Sequence, residues 1–397
     1  MLGDGTLVAR PGQPVLRWNT WTHTIAGIEA ELARIWSSVS LTTPGDGGEP
    51  ERRVAPRSSV MNLVVIAGRS EIGERIAAIV DGLTGRHPSR TLVVSQADPD
   101  GPAWLYAQVQ AHCMLPRDGA PETCAELVFL TAGGQTGQHL AGCVSPLLIH
   151  DLPVTVWWPG EPRLDSPQTT ALLEIADRVL VDGSSWSGDG LARLVATSRL
   201  PRRYGVEVAD FALLRQSRWR EAIASSFDRP ALLPFLGGIR SITVTYAAHD
   251  GSLGAANVVK PLYHVAWLAS RLRLIADEPL TWSERDWGGY DAALRSGRRR
   301  IAVALRPQES GSARGTTLAV RIEAERRRER LLVDVTAHAE GVVVRANIDG
   351  RELAERRFLA ARRKESDLLA ETIEGVADDK ISAAALEMAA AVVEGRG

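Results

Sequence analysis

Lysine is almost missing from this 397-residue chain: Lys260, Lys364 and Lys380 are the only three, so nearly all of its 46 basic residues are arginine. With 48 acidic residues against them, the formal net charge of −2 excludes a general electrostatic drive toward nucleic acid. No run of eighteen or more apolar residues occurs, which excludes a helical membrane span. The opening stretch MLGDGTLVARPGQP carries neither a basic n-region nor an apolar core, so no secretory signal is read and the cytoplasm is the expected compartment. Cysteine is scarce too. Cys113, Cys124 and Cys143 have spacings that fit neither a zinc site nor a C-x-x-C pair. Their odd number argues against a disulfide scaffold, and all three are expected to be buried apolar thiols. Catalytic signatures are also missing: there is no G-x-S-x-G elbow, no H-E-x-x-H, no kinase set and no paired Cys or His at ligand spacing.

What is present is an ordinary globular composition, 45% hydrophobic and 24% charged, on a chain long enough for two cores. Residues 1–20 are Gly- and Pro-rich and expected to be poorly ordered, apart from Trp18 and Trp21. Thr24 reads as the N-cap of an amphipathic helix carrying Ile25, Ile28, Leu32, Ile35 and Trp36, and a polar Gly/Pro-rich linker follows. From Ser59 apolar strands alternate with helices. SVMNLVVIAG, TLVVSQ, VTVWW and DRVLVDG are strands, EIGERIAAIVDGLTG and GDGLARLVATSRL helices, and WLYAQVQAHCML with ETCAELVFLT a hairpin. This is a Rossmann-like α/β domain on a mixed sheet. Residues 210–228 read as one helix bridging the domains. Beyond them RRIAVALRP, TTLAVRIEAE, LLVDVTAHA and GVVVRANIDG alternate at period two, predicting an antiparallel meander closed by two helices. The expected organisation is an N-terminal helix and linker (1–51), the Rossmann-like domain (52–200) and a smaller α+β domain (201–397).

The stretch PLLIHDLPVTVWWPG, residues 146–160, is the most distinctive. Asp151 can hydrogen-bond its own turn and Pro153 forces Leu152 to be extended, so a helix stops here and a strand ending on Trp157 and Trp158 begins. Two readings are open: a tandem Trp at the carboxyl end of a central strand, where ligands and partners dock, or two large side chains filling opposite faces of the core. The turn containing Gly133, Gly134 and Gly137 is a candidate anion site, because backbone N–H groups at a helix N-terminus can cradle a phosphate; Arg90, with His87, could supply a fork to a sugar phosphate. The plainer alternatives are a tight strand-to-helix connection and a solvated turn. The spacing of those glycines matches neither G-x-G-x-x-G nor the P-loop. His150 beside Asp151 is a weak acid/base pair, since adjacent side chains point apart.

Read together, IEAELARIWSS, SSVMNLVVIAG, the HPSR turn, CAELVFL, PLLIHDLPVTVWWPGEP, ADRVLVDGSSW, SRWREAIASSFDRP, IRSITVTY and VAWLASRL resemble the OpcA family of glucose-6-phosphate dehydrogenase assembly proteins. The resemblance covers most of residues 24–275. It implies a non-catalytic protein without a cofactor that binds glucose-6-phosphate dehydrogenase, promotes its assembly and acts as a positive effector. Some members are linked to redox control. No Cys follows Cys143 here, so a dithiol switch in the C-terminal domain is excluded. Trp157, Trp158 and Arg163 are the candidate contacts, because Trp and Arg most often anchor interfaces. Other readings of the chain are a sugar-phosphate enzyme such as a lactonase, working through the Gly-rich turn and His150, and a metabolite-binding sensor.

Overall fold

The computed structural model describes residues 14–38, 59–67, 71–84, 86–114, 123–248, 256–284, 288–361, 363–375 and 379–395. The linker expected after the first helix and the His249-Asp250 pair lie outside these. The chain forms two compact units: Met1–Leu180 with Tyr204–Val206 and Glu365–Glu374, and Val181–Arg203 with Glu207–Lys364 and Gly375–Gly397.

The first sheet is built on β1 (Pro14–Thr22), β2 (Met61–Ile66), β3 (Ser89–Ala97), β4 (Trp104–Met114), β5 (Thr123–Gly133), β6 (Val154–Trp158), β7 (Arg178–Val181) and β8 (Glu207–Asp210). Interleaved are α1 (Ile25–Ser38), α2 (Glu71–Leu83), α3 (Gly134–Gln138), α4 (Leu140–Val144), α5 (Pro167–Leu173), α6 (Leu191–Ser198) and α7 (Leu200–Tyr204). The strand order is β1-β4-β5-β3-β2-β6-β7-β8, with β5, β3, β2 and β6 parallel and β4 and β1 antiparallel at one edge. From β2 the strands run outward as β3 and β5 on one side and β6, β7 and β8 on the other, which is the Rossmann-like order and puts a topological switch point between β2 and β6. β1 is a correction to the expectation of an unstructured start, since pairing with β4 orders Pro14–Thr22.

Local chemistry explains the pattern. β6 is buried at all five positions, as a strand covered on both faces should be. Thr24 caps α1 by accepting from Gly27 N at 3.0 Å. Ser166 caps α5, accepting from Thr169 N at 3.2 Å, with Pro167 at the position where its missing N–H costs nothing. Asn62 on β2, fully buried, donates to Ile149 O (3.0 Å) and Leu152 O (3.2 Å) and accepts from Ile149 N (2.8 Å). That side chain therefore ties the HDLP turn to β2, and Asp151 takes a φ of +65° there. Cys113 and Cys124 stand opposite each other across β4 and β5 and form a disulfide, correcting the expectation of three thiols. Strand register, invisible in the spacing, brought them together. Cys143 is free and buried, and burial pushes its thiol up.

The region expected as a single helix over 210–228 is broken. β8 ends on Asp210, whose carboxylate caps α8 (Phe211–Leu214) through Ala212 N at 2.8 Å, and α9 (Ser217–Phe227) starts afresh after Gln216. The second sheet comprises β9 (Ile239–Ala248), β10 (Ile275–Ser283), β11 (Gly289–Ser296), β12 (Arg299–Glu309), β13 (Thr317–Arg326), β14 (Glu329–His338), β15 (Gly341–Ile348) and β16 (Arg351–Leu359). Between and after them come α10 (Val259–Arg271), α11 (Glu365–Ile373) and α12 (Asp379–Glu394). The order is β10-β11-β12-β9-β13-β14-β15-β16, antiparallel except for β9 with β12, so this sheet is as extensive as the first. Its alternating residues bury Ile242, Val244, Val320, Ile322, Val333 and Val335 on one face. The other carries cross-strand pairs such as Arg321–Asp334 at 2.8 Å and Arg345–Glu355 at 3.0 Å. Pro261 lies in the first turn of α10, where it starts the helix rather than kinking it.

Candidate functional site

In a Rossmann-like sheet the place to look is the carboxyl end of β2 and β6. After β2 the chain reads AGRSEIG, without the G-x-G-x-x-G needed for a dinucleotide pyrophosphate. On β6, paired with Val65, Trp157 is 0% exposed and Trp158 is 4% exposed, followed by a buried Pro159. The tandem Trp is thus core, one ring toward each face of the sheet, as successive strand side chains must be. Of the three candidate contacts only Arg163, on the loop that follows, is exposed, as are its neighbours Glu161 and Asp165.

The Gly-rich turn and Arg90 are not brought together. Gly133 ends β5 beside Ala97, whereas Arg90 pairs with Glu126 seven residues back along both strands, about 23 Å away. The turn itself is filled. Trp104 lies where a Cβ on Gly133 would be, Gly134 N donates to Asp98 O at 3.0 Å, and a Cβ on Gly134 would meet the carbonyl of Pro102 at 2.5 Å. Gly134 has a φ of +53°, so glycine is needed for the turn's shape. Arg90 is buried and spends its guanidinium inside: Nε on Glu126, Nη1 on Leu147 O at 2.7 Å. Glu126, fully buried, also accepts from Trp36 Nε1. His87 and Arg86 both engage Glu374, at 2.8 and 2.5 Å. His150 is exposed on its turn. Among the described residues no group of three His, Cys, Asp or Glu could hold a metal.

A buried polar cluster was not anticipated. Asp182, just after β7, accepts from Ser184 N (3.2 Å), Ser184 Oγ (2.5 Å) and Arg215 Nη1 (2.6 Å). Asp210 ends β8 and accepts from Gly183 N (2.9 Å) and Tyr263 Oη (2.8 Å) besides Ala212 N. Burial first, then the Asp182 charge, pushes Asp210 up from 3.8 to about 6, and the same burial with the Asp210 charge holds Tyr263 well above its ordinary range. Asn257 donates to Gly183 O (2.8 Å) and Trp186 O (3.1 Å), and Asp189 accepts from Tyr290 Oη at 3.0 Å. A Cβ at Gly183 would stand 2.6 Å from Asp210 Oδ2. These hydrogen bonds are all made within the chain, so they clamp the DGSSW segment, while Trp186 Nε1 is buried without a hydrogen-bond partner. Nearby His264 on α10 is fully buried between Trp219 and the Arg220 charge; burial, then Arg220, lowers it from 6.5 to about 3, so it stays neutral. On the second sheet a cavity of about 650 Å³ is lined by Arg240, Glu323, Glu325, Arg330 and Asp349; Arg240 pairs with Glu325 at 3.4 Å, and Asp349 accepts from the backbone N–H of Arg330 at 3.0 Å.

These features define a Rossmann-like α/β protein whose first sheet is followed by a second, mostly antiparallel one, with its expected crevice residues packed into the core. Two family models match in tandem, both described as domains of a glucose-6-phosphate dehydrogenase subunit: the N-terminal domain over residues 62–197 and the C-terminal domain over residues 206–386. The chain belongs to this family, the OpcA family. It is 26% identical over 227 residues to OxPP cycle protein OpcA of Nostoc punctiforme, covering 57% of this chain and 45% of that one. To its namesake from Synechocystis sp. it is 26% identical over 202 residues, covering 50% and 40%. The chain therefore spans less than half the length of these relatives. Among solved structures it is similar to the 3-ketoreductase KijD10 of Actinomadura kijaniata (15% identity, 85% and 96% coverage, TM-score 0.44). It is also similar to an oxidoreductase from Sinorhizobium meliloti (11% identity, 85% and 95% coverage, TM-score 0.47).

Proposed function

We propose that this protein is a non-catalytic partner of glucose-6-phosphate dehydrogenase in the cytoplasm, an assembly factor and positive allosteric effector of the oxidative pentose phosphate pathway. The observation that carries the reading is the tandem match of both glucose-6-phosphate dehydrogenase assembly domains along one chain. The self-satisfied polar cluster and the packed strand ends support it, because their groups serve the fold. Arg163, exposed on the loop after β6, is the proposed contact; Trp157 and Trp158, being buried, act by holding that loop.

The mechanism is a coupling free energy. If binding raises the enzyme's affinity for glucose 6-phosphate by some factor, glucose 6-phosphate tightens the complex by the same factor. The test measures dehydrogenase activity from the same organism across substrate concentrations, with and without this protein. A lowered half-saturation point or a raised maximum is expected. An unchanged curve, with no complex on size-exclusion chromatography, would overturn the reading.

A further inference from the structure

Three large aromatic side chains stand exposed on one face of the first unit's sheet edge: Trp21 (54%), Tyr106 (39%) and Trp104 (38%). Register explains why they share a face. Trp104 and Tyr106 are two apart on β4, and Trp21 on β1 stands opposite Gln108, the next residue of the same row. His23 lies beside Tyr106, ring centroids 5.5 Å apart. The patch is built. Trp104 occupies the space that a side chain on Gly133 would fill, and Gln108 Nε2 donates to Asn19 Oδ1 at 2.8 Å, fixing the polar neighbour of Trp21. Exposing this much aromatic surface together is costly in water, and such clusters mark contact surfaces.

Charge says what covers it. The loop leading into Trp104 carries Asp98 and Asp100, both exposed and neither in an ion pair among the described residues. Aromatic faces attract cations through their quadrupole, and free carboxylates beside them add to that attraction. Arginine satisfies both, stacking its plane on a ring while forking to a carboxylate. We infer that Trp21, Trp104 and Tyr106, flanked by Asp98 and Asp100, form a docking surface for an arginine-bearing segment of the partner enzyme. This rests on the proposed binding of glucose-6-phosphate dehydrogenase and adds a contact surface to Arg163.

The probe is the dehydrogenase of the same organism, immobilised, with binding rates measured for three forms of the full chain. These are the wild type, Trp21→Thr/Tyr106→Thr, and Asp98→Asn/Asp100→Asn, all checked for an unchanged circular dichroism spectrum and melting temperature. Threonine keeps the strands, and asparagine tolerates the φ of +38° at Asp98. The aromatic pair of substitutions should weaken binding about tenfold or more. The acidic pair should slow association at low salt and flatten its salt dependence. Wild type binding while both variants bind within about twofold of it would overturn the surface and leave the proposed function standing. No binding by wild type overturns both. A dimer of this chain alone that the aromatic variant abolishes would assign the patch to a second copy instead, and so overturn the assignment.

Discussion

Replacing Glu126 by Gln is the sharpest probe of the first unit's interior. Glu126 is fully buried between two donors, Arg90 Nε and Trp36 Nε1, and Arg90 is itself only 7% exposed. Glutamine keeps the size and an acceptor for Trp36, but leaves the guanidinium buried with no counter-charge. Its remaining partner named here, Leu147 O at 2.7 Å, is neutral. Breaking a buried ion pair on one side costs about 3–5 kcal/mol, whereas removing both charges costs far less. Glu126→Gln is expected to lower the melting temperature by about 6–20 °C for a unit of roughly 150–250 residues. Adding Arg90→Met should recover a large part of that loss. Urea titration followed by far-ultraviolet circular dichroism gives the free-energy changes, and a thermal melt gives the temperature shift. A single variant within about 1 kcal/mol of wild type, or a double variant no better than the single, would refute the reasoning.

Two pH predictions have opposite signs. Asp210 is raised from 3.8 to about 6 in the fold, so its contribution is full below pH 4 and is lost as pH rises through 6. Wild type should therefore lose about 3 kcal/mol relative to Asp210→Asn between pH 3 and 7, read from urea midpoints; parallel curves would refute this. His264 is lowered from 6.5 to about 3, so its contribution is full above 6.5 and is lost as pH falls toward 3. Relative to His264→Leu, wild type should lose about 3 kcal/mol between pH 7 and 4, and equal acid sensitivity in the two would count against a buried neutral imidazole.

Local pattern was enough for the elements that carry their own signal. The apolar runs of β2, β3 and β6 could only be strands covered on both faces, and Thr24 marks a helix start because a short hydroxyl side chain can reach the next turn's N–H groups. The period-two segments of β12 to β15 likewise declare a sheet with one solvated face. Missed elements were those whose state depends on a partner. β1 is a strand because β4 pairs with it, the four residues of β8 are too few to show a period, and 210–228 read as one helix because α8 and α9 are both helical and part only at Arg215 and Gln216.

For the candidate site the division is sharper. Sequence by itself showed that 146–160 must turn and then extend, that no recognised catalytic motif is present, and which family the chain resembles. Tertiary structure alone decided that Trp157 and Trp158 are core, that Arg90 is committed to Glu126, and that Cys113 meets Cys124. It also joined Asp210 to Tyr263, 53 residues away, and set Trp21 on the same sheet face as Tyr106. The reason is physical. Propensity and periodicity act over one or two turns of chain, while burial, ion pairing and a shared sheet face depend on register between strands far apart in sequence, which no local window contains.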